Sequence, residues 1–281
     1  MSAVLYDVLG PRARRRALIG TVIGTLVVLA VLGLVGWQFQ RTGQFAKDQW
    51  APFTDPGVQR LLLKAIVSTV KAAATAILLS LLLGIVLAAG RLSDHAVLRI
   101  PTVAFVEFFR AIPLLLMILF LFLGFADRLG TFGSLVLALT LYNGSVLSEI
   151  FRAGIVAVAR GQSEAAYSLG LRKSQVMLIV LVPQAVRIML PAIVSQCVVA
   201  LKDTALGFVI SYEELLRQGK LIYDNFGNIV PTVIVVAAIY IAMNSALSAL
   251  AGYLQRRTSR KARSSAAVVT TVVAPPGRDV V

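Results

Sequence analysis

The sequence is poor in charge and nearly free of cysteine, and each shortage excludes a class of protein. Only 14% of its 281 residues are charged, whereas 58% are hydrophobic and the mean hydropathy is +0.85. These values lie outside those of soluble globular domains. The one cysteine, Cys197, sits in an apolar run and has no partner for an internal disulfide. The composition therefore indicates a chain that resides in a bilayer.

Acidic residues and histidine are also scarce, with 13 Asp and Glu against 27 Lys and Arg, one histidine and a net charge of +14. The basic residues cluster at the ends of apolar runs, which is typical of membrane orientation rather than of nucleic-acid binding. A membrane enzyme would need paired acids or a histidine cluster facing one cavity. The only Gly-Lys pair, Gly219-Lys220, lacks the glycine loop that cradles phosphate. We therefore expect no nucleic acid, metal or cofactor on this chain, and no ATP hydrolysis.

Long apolar runs dominate what is present. A hydrocarbon core of ~30 Å is crossed by about 20 apolar residues in a helix. Six such runs occur, at about 18–37, 65–90, 101–125, 129–150, 177–210 and 229–254, the fifth interrupted by Pro183 and Pro191. If they alternate, the segments rich in Lys and Arg share one side, which predicts cytoplasmic termini. The prediction is an all-α integral membrane protein with six transmembrane helices.

The chain divides into four parts by composition. Residues 1–17 form a basic cytoplasmic N-terminus, and residues 18–39 an extra transmembrane helix, which lacks a small-x-small cleavage site and is expected to stay uncleaved. Residues 57–257 form the main membrane domain, with a polar cytoplasmic loop at 153–187. Residues 258–281 present no periodic apolar face, so we predict a disordered cytoplasmic tail.

The polar loop is predicted to hold a short helix that could dock on a partner. Ser163 is a favourable N-cap, Glu164 in the first turn would complement the helix dipole, and Gly170 would supply a left-handed turn. Two small residues would permit close approach and two leucines would act as apolar anchors: Ala165, Ala166, Leu169 and Leu171. Composition alone slightly favours a connector without a partner.

Residues 164–183, EAAYSLGLRKSQVMLIVLVP, resemble the EAA loop of ABC importer permeases, with VLVP where the family usually has Ile-x-Leu-Pro. Five further blocks resemble the polar amino-acid branch of that family, over about residues 57–257. In chain order they are GRLS, VEFFRAIPLLLMILF, SEIFRAGI, PQAVRIMLPAI and LKDTAL. The extra first span, preceded by VLYDVLGPRARRR, resembles one permease subunit of actinobacterial glutamate importers.

The resemblance implies a type I importer permease in the bacterial cytoplasmic membrane, with a five-helix MetI-like core plus one extra helix. It implies three kinds of partner besides lipid: a second permease subunit, expected to be a paralogue, two cytoplasmic ATPases that use ATP and Mg, and an extracytoplasmic amino-acid-binding protein. Transport would be import by alternating access, with glutamate as the expected substrate. The resemblance assigns coupling to the ATPases to Glu164, Ala165, Ala166, Leu169, Gly170 and Leu171.

A substrate pathway for an amino acid needs groups of both charges at membrane depth, where each ionisable residue costs ~2.5–3.5 kcal/mol on insertion scales. Arg110 and Lys202 are candidate carboxylate contacts, with Glu107 or Asp203 for the ammonium group. Neutral hydrogen bonds could come from Tyr142, Asn143, Ser145 and Thr204.

Each candidate has a structural alternative. An ion pair between Glu107 and Arg110 that holds the bundle is favoured over ligand contact, and helix packing is the commoner use of small polar residues. Glu149 and Arg152 are expected to pair at the cytoplasmic boundary. At the level of function, an ion-gradient-driven transporter and a simple membrane anchor stay open as alternatives.

Overall fold

The structure is a computed structural model that describes residues 10–272, with the side chains of Pro11 and of residues 254–272 left out. Within this range the chain is a series of helices without a strand, as predicted for an all-α protein. The helices are α1 (Pro11–Arg41), α2 (Lys47–Trp50), α3 (Pro56–Arg91), α4 (Ala96–Ala111), α5 (Leu114–Val156), α6 (Arg160–Ser168), α7 (Lys173–Gln175), α8 (Val182–Asp203), α9 (Leu215–Phe226) and α10 (Ile229–Val272). Two 3-10 segments, Ala51–Thr54 and Thr204–Ile210, and a π segment, Val176–Leu181, join them.

Helix α1 stands apart from the rest of the chain. It begins at Pro11, where a missing backbone N–H costs nothing, and so includes the basic residues expected to precede the helix. Its apolar residues are exposed, among them Leu18 at 65% and Trp37 at 57%, and its most apolar window is 0% buried. A long apolar helix with its side chains exposed to this extent is stable in lipid, which agrees with an extra transmembrane helix beside the core.

Helix α3 is fixed at its start by a cap. The Asp55 carboxylate accepts hydrogen bonds from the amides of Gly57 at 2.6 Å and Val58 at 3.3 Å, and Pro56 occupies the first turn. These contacts satisfy backbone donors that an uncapped helix end would leave unpaired. The helix then runs without a break to Arg91.

The third and fourth predicted crossings share helix α5. Helix α4 ends at Ala111, Ile112 is extended, and α5 starts after Pro113, so the chain is interrupted at this proline. Non-helical backbone at Phe125 and at Gly130 (φ 62°) then divides α5 into two parts. Five helices qualify as spans by length and apolarity. The sixth crossing consists of α4 with the part of α5 before Phe125, which confirms the predicted count.

The last two crossings differ from expectation in detail. Pro183 lies in the first turn of α8 after the π segment, and α8 continues through Pro191 without a break. Helix α10 extends to Val272, so residues 258–272 are helical where disorder is predicted. No proline or glycine occurs between Tyr253 and Val272, and the chain there has no stop signal. Residues 273–281 of the predicted tail lie outside the described residues.

The core forms where α3 packs against α5. A Cβ atom on Gly84 would lie 2.9 Å from the Leu147 Cβ and 3.2 Å from the Gly144 carbonyl oxygen, and one on Gly144 would lie 2.9 Å from the Leu83 Cδ2. The two helices therefore touch backbone to backbone, the packing that small residues allow in membranes. Ala72 and Ala76 continue this contact and pack in one buried cluster with side chains of α5.

Candidate coupling surface and substrate pathway

The predicted docking helix is present as α6 in the loop between α5 and α7. It begins after Ala159, which makes no side-chain cap. Ser163, predicted as the N-cap, lies inside the helix, where its hydroxyl donates to the Arg160 carbonyl at 2.8 Å. That prediction is wrong because the helix already begins at Arg160, and Glu164 consequently lies in the second turn rather than the first.

Gly170 ends α6 in a left-handed turn, as predicted. Its φ is +78°, a conformation that costs other L-residues energy. The Gly170 amide donates to the Tyr167 carbonyl at 2.9 Å and the Leu171 amide to the Ala166 carbonyl at 3.3 Å. These two bonds form a Schellman motif, which satisfies the last carbonyls of the helix.

The six residues assigned to coupling do not all face outward. Leu169 is 81% exposed, whereas Ala166 is 4% exposed and packs inward. Glu164, Ala165 and Gly170 are exposed, and Leu171 is half-buried. Helix α6 and the residue that follows it therefore present an exposed surface formed by Glu164, Ala165 and Leu169, whereas Ala166 is buried against the rest of the chain.

Two side-chain contacts connect α6 and the adjacent α7 to other parts of the chain. The Gln184 Nε2 of α8 donates to the Gln162 Oε1 of α6 at 3.2 Å. Lys173, in the first turn of α7, pairs with Asp94 in the turn between α3 and α4. The hydrogen bond and the charge of Lys173 lower the pKa of the exposed Asp94 carboxyl. Thus α6 is bonded to α8, and the adjacent α7 is bonded to the turn between α3 and α4.

Glu107 and Arg110, both on the predicted pathway list, belong to a larger charged cluster. Its centre is Glu149, whose Oε1 lies 2.7 Å from the Arg91 Nη1 and 3.2 Å from the Arg110 Nη1. The Glu149 Oε2 lies 3.2 Å from the Arg152 Nε, so the predicted Glu149–Arg152 pair is present. Glu107 is peripheral, with its Oε1 3.9 Å from both Arg91 and Arg110.

Arg91 was missed as a member of this site. In the sequence it is the last residue of a span, a position that indicates orientation and nothing more. The pairing depends on α3, α4 and α5 meeting, which no local pattern encodes.

The polar residues of α5 are mostly used inside the bundle. Asn143 is 1% exposed; its Oδ1 accepts from the Gln196 Nε2 at 2.7 Å and its Nδ2 donates to the Leu139 carbonyl at 3.0 Å. Ser145 is fully buried, and its hydroxyl donates to the Leu141 carbonyl at 2.8 Å. Tyr142 is half-buried. In this conformation Asn143 joins α5 to α8.

Three further predicted pathway residues, Lys202, Asp203 and Thr204, lie where α8 ends and the 3-10 segment Thr204–Ile210 begins. Thr204 is buried, and its hydroxyl donates to the Leu201 carbonyl at 2.6 Å. Lys202 is exposed and Asp203 is half-buried. Among the residues that the structure describes, neither Lys202 nor Asp203 forms an ion pair.

A buried acid on the other side of the bundle had no signal in the sequence. Glu214 is fully buried, and its carboxylate accepts from the amides of Leu216 at 2.7 Å and Arg217 at 2.6 Å and from the Tyr240 hydroxyl at 2.7 Å. Burial raises the pKa of Glu214, although these three hydrogen bonds lower it. Glu214 therefore caps α9 and ties it to α10.

Comparison with known proteins identifies the class to which these helices belong. A family model described as the inner membrane component of binding-protein-dependent transport systems matches residues 80–260. The chain is 38% identical over 241 residues to the glutamate transport system permease protein GluD of Corynebacterium glutamicum, covering 83% of this chain and 88% of the relative. It is 34% identical over 209 residues to the glutamate/aspartate import permease protein GltK of Escherichia coli, covering 70% and 93%.

Solved structures agree. A crystal structure of an amino acid ABC transporter with histidines superposes with a TM-score of 0.67 at 31% identity, covering 71% of this chain and 94% of that one. An inward-facing structure of the MetNI methionine ABC transporter, at 17% identity and a TM-score of 0.62, shares the fold. The bundle and its polar loop define an integral membrane transport subunit. The chain belongs to the family of inner-membrane components of binding-protein-dependent transport systems, the permease subunits of ABC importers.

Proposed function

We propose that this chain is a permease subunit for import of a polar, acidic amino acid, with glutamate as the first candidate. The observation that carries the proposal is the similarity to GluD, which covers 83% of this chain, against 70% for GltK. Another relative, BztB of Rhodobacter capsulatus, is named for glutamate, glutamine, aspartate and asparagine. The neutral amides are therefore the substrates to be discriminated in a test.

The proposed mechanism is alternating access driven by two separate ATPase subunits on the cytoplasmic side. In this proposal the exposed surface formed by Glu164, Ala165 and Leu169 lies in a groove of an ATPase, with Leu169 as the apolar anchor. The Schellman turn at Gly170 and the Lys173–Asp94 pair support a rigid transfer of motion, because they connect α6 to α7 and to the turn before α4. Both termini would be cytoplasmic, as the distribution of basic residues predicts.

The proposed pathway has two places, one at Lys202 and Asp203 and one at Glu107 and Arg110, and each place provides both a positive and a negative side chain. Asp203, which has no ion-pair partner among the described residues, would hold the substrate ammonium group. The adjacent Thr204 would fix the backbone at this place, because its hydroxyl donates to the Leu201 carbonyl. Lys202 and Arg110 would contact carboxylates. Glu107 would contribute on the exposed rim of the Glu149 cluster, where its side chain is 60% exposed.

The remaining partners follow from family membership. A binding protein outside the membrane delivers substrate, and a second permease subunit completes the pathway. We propose that this second subunit is a paralogue of this chain, and its identification in the purified complex tests this.

The test is reconstitution of the assembled importer. The complex, purified from its native membrane, is placed in vesicles with labelled glutamate, aspartate, glutamine and histidine, with and without ATP. We expect ATP-dependent uptake of glutamate above the others and co-purification of an ATPase and a second permease. Uptake that persists without ATP and disappears with an ionophore would contradict the proposal and favour an ion-gradient-driven transporter.

A further inference from the structure

The charged cluster around Glu149 holds more positive than negative charge. Three guanidinium groups, of Arg91, Arg110 and Arg152, meet two carboxylates, of Glu149 and Glu107. Only Glu149 is close to all three arginines, because Glu107 lies 3.9 Å from its two nearest nitrogens. One positive charge is therefore left without a matching carboxylate.

Hydrogen-bond donors in the cluster are also left over. The Arg91 side chain is 9% exposed, and its buried Nε and Nη1 donate no hydrogen bond to a described residue. Its Nη1 lies 2.7 Å from the Glu149 Oε1, so the contact is made by charge and not by an aligned N–H bond. Buried donors normally find a partner, and a guanidinium has five N–H groups that suit a carboxylate.

The cluster has an open side. The side chains of Arg110 and Arg152 are 40% and 41% exposed, respectively. Arg91 is the last residue of α3, and Glu149 and Arg152 lie close to the end of α5, where charged side chains meet water at a membrane boundary. A small ion from the aqueous side can therefore reach Arg110 and Arg152.

We propose that this cluster is a binding station for the side-chain carboxylate of the anionic substrate, and that Glu149 occupies it when substrate is absent. The inference rests on the proposed transport of an acidic amino acid. Glu149, a carboxylate, already binds three arginines in this cluster. A ligand that replaces Glu149 there should therefore also offer a carboxylate. An incoming carboxylate takes the free donors of Arg91, Arg110 and Arg152, and Glu149 yields its share of them.

The position of Glu149 and Arg152 connects this exchange to the coupling helix. Both lie near the end of α5, which stops at Val156 shortly before α6 begins at Arg160. Movement of α6 would therefore shift Glu149 and Arg152 relative to Arg91 on α3 and Arg110 on α4. Such a shift would change whether Glu149 or the substrate carboxylate binds the arginines more strongly.

The experiment measures binding of labelled L-glutamate to the purified permease–ATPase complex without its binding protein. L-Glutamine, which shares the α-carboxylate but has an amide in place of the side-chain carboxylate, is the comparison ligand. Glu149→Gln removes the internal competitor and should tighten glutamate binding about tenfold, whereas Arg110→Gln and Arg152→Gln should each weaken it about tenfold, the effect of one charge-assisted hydrogen bond. Glutamine binding should change little in any variant. Arg99→Gln, an exposed arginine of α4 outside the cluster, is the matched control.

Several results would overturn the inference. In one such result, the Glu149→Gln variant purifies as an intact complex of unchanged thermal stability and still binds glutamate no more tightly than wild type. That result shows that Glu149 does not compete with the substrate. Equal competition by sulfate or anionic lipid shows a general anion site. No glutamate binding in a complex that imports glutamate overturns this inference alone, whereas import of neutral amino acids only overturns the proposed function with it.

Discussion

Replacing Gly170 tests whether the turn after α6 transmits force. Because φ is +78° and a Cβ there would meet nothing within 4 Å, Gly170→Ala causes no clash and costs only backbone strain of ~1–2 kcal/mol. A penalty of that size shifts the population of the native turn about 5–30-fold. Gly170→Pro is more severe, because proline fixes φ near −65° and removes the amide that donates to Tyr167.

The assay is ATP-driven uptake and ATP hydrolysis by the reconstituted importer. We expect partial loss of uptake for Gly170→Ala and loss of coupling for Gly170→Pro, with hydrolysis no longer stimulated by substrate. Gly170→Asn should approach wild type, because asparagine tolerates a left-handed backbone. Gly161→Ala is the matched control, since Gly161 lies in the first turn of α6, also has nothing within 4 Å and does not have a positive φ.

Normal uptake by Gly170→Pro, in protein that inserts in the membrane at wild-type levels, would refute the reasoning. Equal loss by Gly161→Ala and Gly170→Ala would also refute it, because the defect would then not depend on the left-handed turn.

Three other predictions concern a charge, a packing contact and a buried cap. Glu164→Arg, on the exposed surface of α6, should uncouple hydrolysis from uptake without lowering membrane insertion, as both assays on one preparation would check. Gly84→Val should lower the thermal stability of the purified complex by ~1–3 kcal/mol, because its side chain overlaps Leu147. Glu214→Gln should destabilise by ~1–3 kcal/mol, since an amide cannot accept all three hydrogen bonds; the exposed neighbour, as Glu213→Gln, should have no effect in the same melting experiment.

Features that depend on local chemistry could be predicted from the sequence. The apolar runs predicted the crossings because about 20 mostly apolar residues in a helix are needed to span the hydrocarbon core. Gly170 predicted a left-handed turn, since glycine lacks the Cβ atom that disfavours this backbone. The interruption at Pro113 is of the same local kind, since proline restricts its own backbone and that of the residue before it. The pair of Glu149 and Arg152 was predictable because both lie on adjacent turns of one helix.

Features that depend on contacts between distant residues could not be predicted. Arg91 joins Glu149 across 58 positions of the chain only because α3 packs against α5. Ser163 has good capping chemistry, but α6 begins at Arg160, where Gln162 of its first turn accepts a hydrogen bond from Gln184 of α8 and the Ser163 hydroxyl donates to the Arg160 carbonyl. Glu214 looked like an ordinary surface acid, and its burial depends on Tyr240 of another helix.

The central claim is that α6 faces the cytoplasm and docks on an ATPase. In a Cys197→Ser background, which removes the one native cysteine, Leu169→Cys places a thiol at a residue that is 81% exposed, and Leu123→Cys, at a residue that is 79% exposed and outside α6, is the control. We predict that a membrane-impermeant maleimide labels Leu169→Cys only in inside-out vesicles, and that a short bifunctional reagent links it, but not Leu123→Cys, to the ATPase. Labelling of Leu169→Cys from outside intact cells would contradict the account.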